Sequence, residues 1–320
     1  MSTIAEKVSG SRGGQRGLIV LGNPVLAIPV RCRSVLGILV PLVWGVAVWG
    51  LSGGGMESVS AAEQVAPYSL FVFDNGVRGI ADPPKLLKEL GYAGVAWGGW
   101  NVAPVVQQYE AHGLKVFSTY VSCHLDKDPP YDPAAKEAIA QLRGTNVILW
   151  LCVLGGKRGQ EDEKAVRIVR EIADLAASAG LRVALYPHTG FYVATTADAL
   201  RLVRQIDRKN VGVTINLCHE LMTDQGPKLS TTIRQAMPHL FLVSINGADA
   251  KEPGFGWDRL IQPLGRGNFD VYGFLKELHA AGYRGPIGLQ CYGLKGDPVE
   301  NLRQSIEAWR EYMDRLATGK

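Results

Sequence analysis

From Tyr68 onward the chain repeats one unit eight times: a short apolar run rich in β-branched and aromatic residues, then a stretch with helical periodicity. The runs are SLFVFDNG (69–76), GVAWGGW (94–100), KVFSTYVSC (115–123), NVILWLCVLG (146–155), LRVALYPH (181–188), VGVTINLCH (211–219), LFLVSING (240–247) and GPIGLQCYG (285–293). Successive runs start roughly 20 to 35 residues apart, and the last pair 45 apart, room for at least one crossover helix each. They lack strict polar–apolar alternation, as strands covered on both faces do. Between them, EDEKAVRIVREIADLAASAG (161–180) carries acids in its first turn and Gly180 as its stop, and TTADALRLVRQI (195–206) opens on a threonine cap. DPVENLRQSIEAWREYMDRLA (297–317) is placed to close the ring. Eight such units in about 255 residues predict an α/β fold, a single (β/α)8 TIM barrel, rather than a doubly wound sheet. No G-x-G-x-x-G follows an early strand, which argues further against a dinucleotide fold.

What precedes the repeats reads as a targeting segment. Val35 to Leu51 is uncharged and strongly apolar, Arg31 and Arg33 stand just before it, and Val59-Ser60-Ala61-Ala62 offers the small residues of a cleavage site. The expected organisation is therefore an export signal or leader over 1–62 and the barrel over 63–320. The mature protein is expected to be periplasmic or extracellular, and membrane-bound only if the 35–51 segment stays uncleaved as an anchor. The formal charge of +4 owes much to that leader, because residues 63–320 hold 29 basic and 28 acidic side chains. That balance supplies no basic face for nucleic acid. Cys123, Cys152, Cys218 and Cys291 fall near strand ends at spacings that match neither a zinc knuckle nor a disulfide framework. Buried, reduced thiols are expected, with Cys123 and Cys152 the best-placed pair if any is bridged.

In a barrel of this kind the chemistry gathers where strands end and loops begin. Polar and aromatic residues are plentiful there: Asp74 and Asn75, Trp97 and Trp100, His124, Lys157 and Arg158, Tyr186 and His188, Asn216 and His219, Asn246, Asp249 and Lys251, then Gln290 and Tyr292. The segments LRVALYPH, VGVTINLCHEL, LFLVSINGAD and PLGRGNFDVYGFLKELHAAGYRGPIGLQ resemble the second half of the xylose isomerase-like barrel superfamily. That group holds sugar and sugar-phosphate isomerases and epimerases and also the family-2 AP endonucleases. The resemblance runs over most of residues 68–315. It implies a divalent metal held by strand-end carboxylates and histidines, with two glutamates moving protons at a sugar carbon.

Carried across, the pattern keeps His188 and His219 but loses its acids. Tyr186 stands at the fifth-strand glutamate, Asn216 at the sixth-strand aspartate, Ser244 and Asn246 at the seventh-strand histidine and aspartate, and Gln290 at the final glutamate. Amides still coordinate but contribute no net charge, so a site of His188, His219, Asn216 and Gln290 is expected to hold Mn, Mg or Zn weakly or not at all. Without the glutamates, His188, His219 and, less directly, Tyr186 are the candidate catalytic groups. Asp74 and Lys157 are further options. Asn216, Asn246, Gln290, Trp97, His124, Lys157 and Lys251 are the candidate contacts to substrate, with Trp97 suited to stacking on a sugar face. The function that the resemblance implies is a carbohydrate isomerase or epimerase working by proton transfer beside a carbonyl, with a degenerate metal site. The alternative is a non-catalytic carbohydrate-binding barrel. An AP endonuclease would need clustered acids for several zinc ions and a basic groove, neither of which the sequence holds.

Overall fold

The computed structural model describes residues 68–319. The expected leader and its cleavage site lie outside them. The described residues form eight strands, β1 (Leu70–Phe73), β2 (Gly94–Gly98), β3 (Lys115–His124), β4 (Ile148–Leu154), β5 (Arg182–Leu185), β6 (Val211–Asn216), β7 (Leu240–Ile245) and β8 (Ile287–Leu289). All pair in parallel with their sequence neighbours, and β8 returns to β1 to close the barrel. The intervening helices include α1 (Pro83–Leu90), α2 (Ala103–Glu110), α3 (Ala135–Gln141), α4 (Asp162–Ser178) and α5 (Thr196–Ile206). After β6 come α6 (Leu217–Met222) and α7 (Leu229–Ala236). The short α8 (Trp257–Leu260) and α9 (Val271–Ala280) follow β7, and α10 (Pro298–Thr318) ends the chain's described part. Among the described residues no helix is long and apolar enough to cross a membrane.

The strands are apolar throughout because each has two dry faces. Outward side chains such as Leu70, Val72, Val121 and Val153 pack against the helices, while Phe71, Phe73, Ile148, Trp150, Ala184 and Tyr186 fill the barrel. So much aromatic volume inside requires small partners. At Gly288 on β8 an added Cβ would lie 2.6 Å from atoms of the Phe71 ring. Gly94 is a different case: its φ is 153°, and a Cβ there would fall on the carbonyl oxygen of Lys115.

The helices follow local rules visible in the chain. α4 buries Ala165, Ile168, Val169, Ile172 and Ala176, one stripe at helical spacing, behind a first turn carrying Asp162 and Glu163. α5 begins with a reciprocal capping box between Thr195 and Asp198. The two helices are tied by Asp162, which accepts hydrogen bonds from Arg201 Nε (2.8 Å) and the Tyr192 hydroxyl (2.6 Å). The Arg201 guanidinium holds the Asp162 carboxyl at about 2, below its ordinary value of 3.8. A carboxylate with a depressed folded-state value adds stability that is present above its unfolded value and lost as pH falls through the folded one. Asp162→Asn is therefore expected to cost about 1 kcal/mol near neutrality, allowing for solvent screening, and nothing near pH 2. Chemical denaturation of both proteins across pH 2 to 7 checks this.

Cys123, Cys152, Cys218 and Cys291 are buried and free. Cys123 and Cys152 sit on adjacent strands but not in register, since Cys152 pairs with Ser122 and Cys123 with Val153. Cys123 thus points outward to the helices and Cys152 inward, which rules out the bridge considered from sequence.

Candidate functional site

Tyr186 closes the top layer of the barrel's filling, and above it lies a cavity of about 350 Å³. Its floor and walls are aromatic: Phe73, Trp97, Tyr120, Trp150, Tyr186 and, from α8, Trp257. Tyr120 meets Tyr186 edge-on at 5.1 Å between ring centroids, and Trp150 lies 5.0 Å from it on another side. Trp150 Nε1 donates to the Thr214 hydroxyl at 2.6 Å, so this large ring is fixed by a buried hydrogen bond as well as by packing. Burial pushes the Tyr186 hydroxyl well above its usual range, keeping it a neutral phenol. At the mouth, Arg78 pairs with Asp74 at 2.9 Å, and Tyr292 is largely exposed.

Two imidazoles line this cavity, His188 just past β5 and His219 in the first turn of α6. Their ring centroids are 4.1 Å apart. His188 stacks on Phe191 and His219 meets Trp257 edge-on. The backbone of one residue, Thr189, touches both. The Thr189 carbonyl lies 2.9 Å from His188 Nδ1, and the Thr189 N–H donates to His219 Nδ1 at 3.1 Å. A carbonyl oxygen only accepts, so His188 carries its proton on Nδ1 and leaves Nε2 bare. An N–H only donates, so neutral His219 accepts at Nδ1 and carries its proton on Nε2. Burial lowers both rings' affinity for a second proton, and His219 falls from 6.5 to about 2, with His188 adding to the effect. Both are neutral near pH 7, and they are set as opposite tautomers.

The residues that stand where the superfamily holds its metal make other bonds. The Asn216 side-chain oxygen accepts from the Ser244 hydroxyl (2.7 Å) and the Cys218 thiol (3.4 Å), beneath the cavity floor. Gln290 Oε1 accepts from Asn75 Nδ2 (3.1 Å) and from the backbone N–H groups of Cys291 (3.0 Å) and Tyr292 (2.9 Å). Its NH2 group is turned toward the Tyr186 hydroxyl at 3.4 Å. Both amide oxygens are thus committed, and His219 presents an N–H. Among the described residues no group of three His, Cys, Asp or Glu side chains is placed to hold a metal. The side chains at these positions add no negative charge to offset that of a divalent cation.

Of the residues singled out from sequence, Tyr186, His188, His219, Gln290 and Trp97 line the cavity together. Asn216 and Asn246 are fully buried and do not line it, Asn246 donating to the carbonyls of Gly247 and Leu260. Lys251 is drawn away by the Met222 carbonyl and Asp224, and Lys157 is an exposed loop residue. His124 lies in a neighbouring cavity. Sequence reasoning missed Trp150 and Tyr120, hidden inside apolar runs, Trp257 in the loop after β7, and Arg78, whose signal was its place four residues after Asp74.

The profile of the family described as "Xylose isomerase-like TIM barrel" matches residues 84–312. The chain is 29% identical over 192 residues to a 3-dehydroshikimate dehydratase of Pseudomonas aeruginosa, a match covering 55% of this chain and 30% of that protein. A 3-dehydroshikimate dehydratase of Pseudomonas putida is 28% identical over 263 residues, covering 79% of this chain and 39% of its own length. The chain therefore spans well under half of the curated relatives it matches. Among solved structures, an L-ribulose 3-epimerase superposes with a TM-score of 0.64 at 13% identity, covering 79% of this chain and 96% of that one. With a closed eight-stranded parallel barrel and a family profile that spans most of it, this chain belongs to the xylose isomerase-like TIM barrel family.

Proposed function

We propose that this barrel catalyses proton transfer beside a carbonyl of a small polyhydroxylated ring, the step that sugar isomerases, epimerases and dehydratases share. The observation that carries the reading is the Thr189 backbone, whose carbonyl makes His188 a proton acceptor and whose N–H makes His219 a proton-bearing donor within one cavity. His188 Nε2 takes the proton from the carbon next to the carbonyl, and the electron pair moves onto the carbonyl oxygen. His219 Nε2–H donates to that oxygen as its charge grows, the role a neutral imidazole fills when its protonated form is strongly disfavoured. The proton then returns to a ring carbon, or goes to a departing β-hydroxyl that leaves as water. The aromatic walls suit the faces of a ring, and Asn75 and the Gln290 NH2 group line the same cavity for its hydroxyls. The 3-dehydroshikimate dehydratases and the epimerase among its relatives support this class of reaction.

On this reading the chain works without a carboxylate-held metal, because the amide oxygens in those positions are already bonded. Protein treated with a chelator is expected to exchange deuterium from D2O into a keto-sugar at the carbon beside the carbonyl. Added Mn, Mg or Zn should leave both the exchange rate and the melting temperature unchanged. A ligand at 100 times its dissociation constant adds about 2.7 kcal/mol. A saturable rise of that size, lost in His188→Ala and His219→Ala, would overturn the metal-free mechanism. Binding of sugar with no exchange under any condition would favour the non-catalytic barrel instead. We place the working protein outside the cytoplasm on the pattern of residues 31–62. Fractionation of expressing cells, with a variant lacking 35–51 retained in the cytosol, tests that placement.

A further inference from the structure

β3 is ten residues long where its neighbour β2 has five, so β3, still paired with β4 up to His124, runs past the end of β2. In register, Tyr120 pairs with Trp150, Ser122 with Cys152 and His124 with Leu154. Parallel partners share a face, and Trp150, Cys152 and Leu154 belong to the barrel interior. Tyr120, Ser122 and His124 therefore form one continuous strip that climbs from the barrel's filling to above its mouth. Tyr120 lines the histidine cavity, and it also lines a second cavity of about 410 Å³ that takes in Ser122 and His124. The end of β2 continues in the same way, with Trp97 and Gly98 in the first cavity and Gly99 and Trp100 in the second.

The far wall of this second cavity is a loop folded back on β3. The His124 N–H donates to the Pro130 carbonyl at 2.7 Å, and Tyr131 forms an antiparallel bridge with Cys123. These bonds hold Tyr131 in the lining that the loop's Pro129, Pro130 and Pro133 share with Trp100. The polar side chains between them, His124, Ser122 and Lys127, make no hydrogen bond or ion pair with the rest of the described protein. Flat apolar surfaces with uncommitted donors and acceptors between them suit a hydroxyl-bearing ring. Charge argues against an anion: Asp132 faces the same space as Lys127, and Arg78 at the first cavity's mouth is already paired.

We propose that the second cavity is a glycosyl subsite, so that the substrate is a two-ring glycoside. Its carbonyl-bearing ring lies against His188 and His219, and its second ring lies between Trp100 and Tyr131, with Tyr120 under the linkage. The assignment of the reacting ring rests on the proton-transfer function proposed above, whereas the subsite itself rests on the geometry of β3 and its loop.

The test compares methyl 3-keto-glucoside, one ring, with 3-keto-cellobiose oxidised in its non-reducing ring. Both deuterium exchange and calorimetric binding are read. The intact protein is expected to show a KM about tenfold lower for the two-ring probe. Trp100→Ala and Lys127→Ala, each confirmed folded by its thermal melt, are expected to bring that ratio close to one. Lys127 is exposed, so its variant keeps the test decisive if Trp100→Ala unfolds. Exchange of both probes with equal KM, insensitive to these variants, would overturn the subsite and leave the proton-transfer reading standing. Saturable binding of the two-ring probe that Trp100→Ala abolishes, without exchange of either probe, would support the subsite and sink the catalytic reading. Failure of the two-ring probe to bind or exchange would overturn the subsite.

Discussion

Replacing His188 by alanine is expected to slow deuterium exchange into the keto-substrate by two to four orders of magnitude, the usual contribution of a positioned general base. Only this ring offers a bare nitrogen to the cavity, because the Thr189 carbonyl holds the proton of its other nitrogen. The ring is half-buried and packs on Phe191, so the variant should still fold, and its melting curve serves as the control. His219 acts on the oxygen rather than the carbon, and its variants should separate accordingly. His219→Ala is expected to lose about a hundredfold, as for the removal of one donor to a developing oxyanion, while His219→Gln, which keeps an N–H, should recover part of that loss. A His188→Ala protein that exchanges at the full rate would remove His188 from the mechanism, leaving Asp74 as the carboxylate along the wall to be tried next.

The second large effect is on stability. Trp150→Ala is expected to destabilise the barrel by about 3–5 kcal/mol, the range for deleting a fully buried large aromatic ring. Trp150 has no exposed surface and lies within 5.9 Å of Phe71, 4.9 Å of Phe73 and 5.0 Å of Tyr186, ring centre to ring centre. Its removal also strands the Thr214 hydroxyl in a dry interior. For a domain of this size the melting temperature should fall by roughly 10 °C. Trp150→Phe should cost less, since it retains most of the ring volume and loses chiefly the bond to Thr214. Calorimetry on the three proteins gives the ranking. A fall of only a degree or two for the alanine variant would mean that the filling of the barrel collapses into the gap.

The architecture was legible because hydrophobic period and spacing are global signals. Seven of the eight expected runs contain their strand, and 115–123 stops one residue short of His124; the starts at 94, 115, 211 and 240 coincide, while 146 and 285 each begin two residues early. The ends were less legible. LRVALYPH and VGVTINLCH run three residues past β5 and β6, because apolar residues continue into the loop and helix where the backbone has already left the sheet.

The site was legible in part, and for a physical reason. Tyr186, His188, His219, Trp97 and Gln290 stand at strand ends, and topology alone brings such ends together. Strand position does not reveal which way a side-chain amide is turned, so the committed oxygens of Asn216 and Gln290 were beyond reach. Trp150 and Tyr120 were hidden because both faces of these strands are apolar and inward residues look like outward ones. Lys157 and Lys251 carry charge near the rim, yet the loops that bear them run outward or are anchored elsewhere.

The backbone contacts of Thr189 bear on how such a site changes over time. The main chain of one residue offers one donor and one acceptor, so Thr189 cannot set both imidazoles alike, and the polarity of the pair is written in the backbone. The Thr189 hydroxyl also lies 3.2 Å from His219 Nδ1, but the backbone contacts alone keep the division of labour between the two rings when position 189 changes to most other amino acids. Proline, which lacks the N–H, is the exception. Inheritance of this chemistry follows the path of a loop rather than the identity of a residue, and a comparison of side chains alone would pass over the position that enforces it.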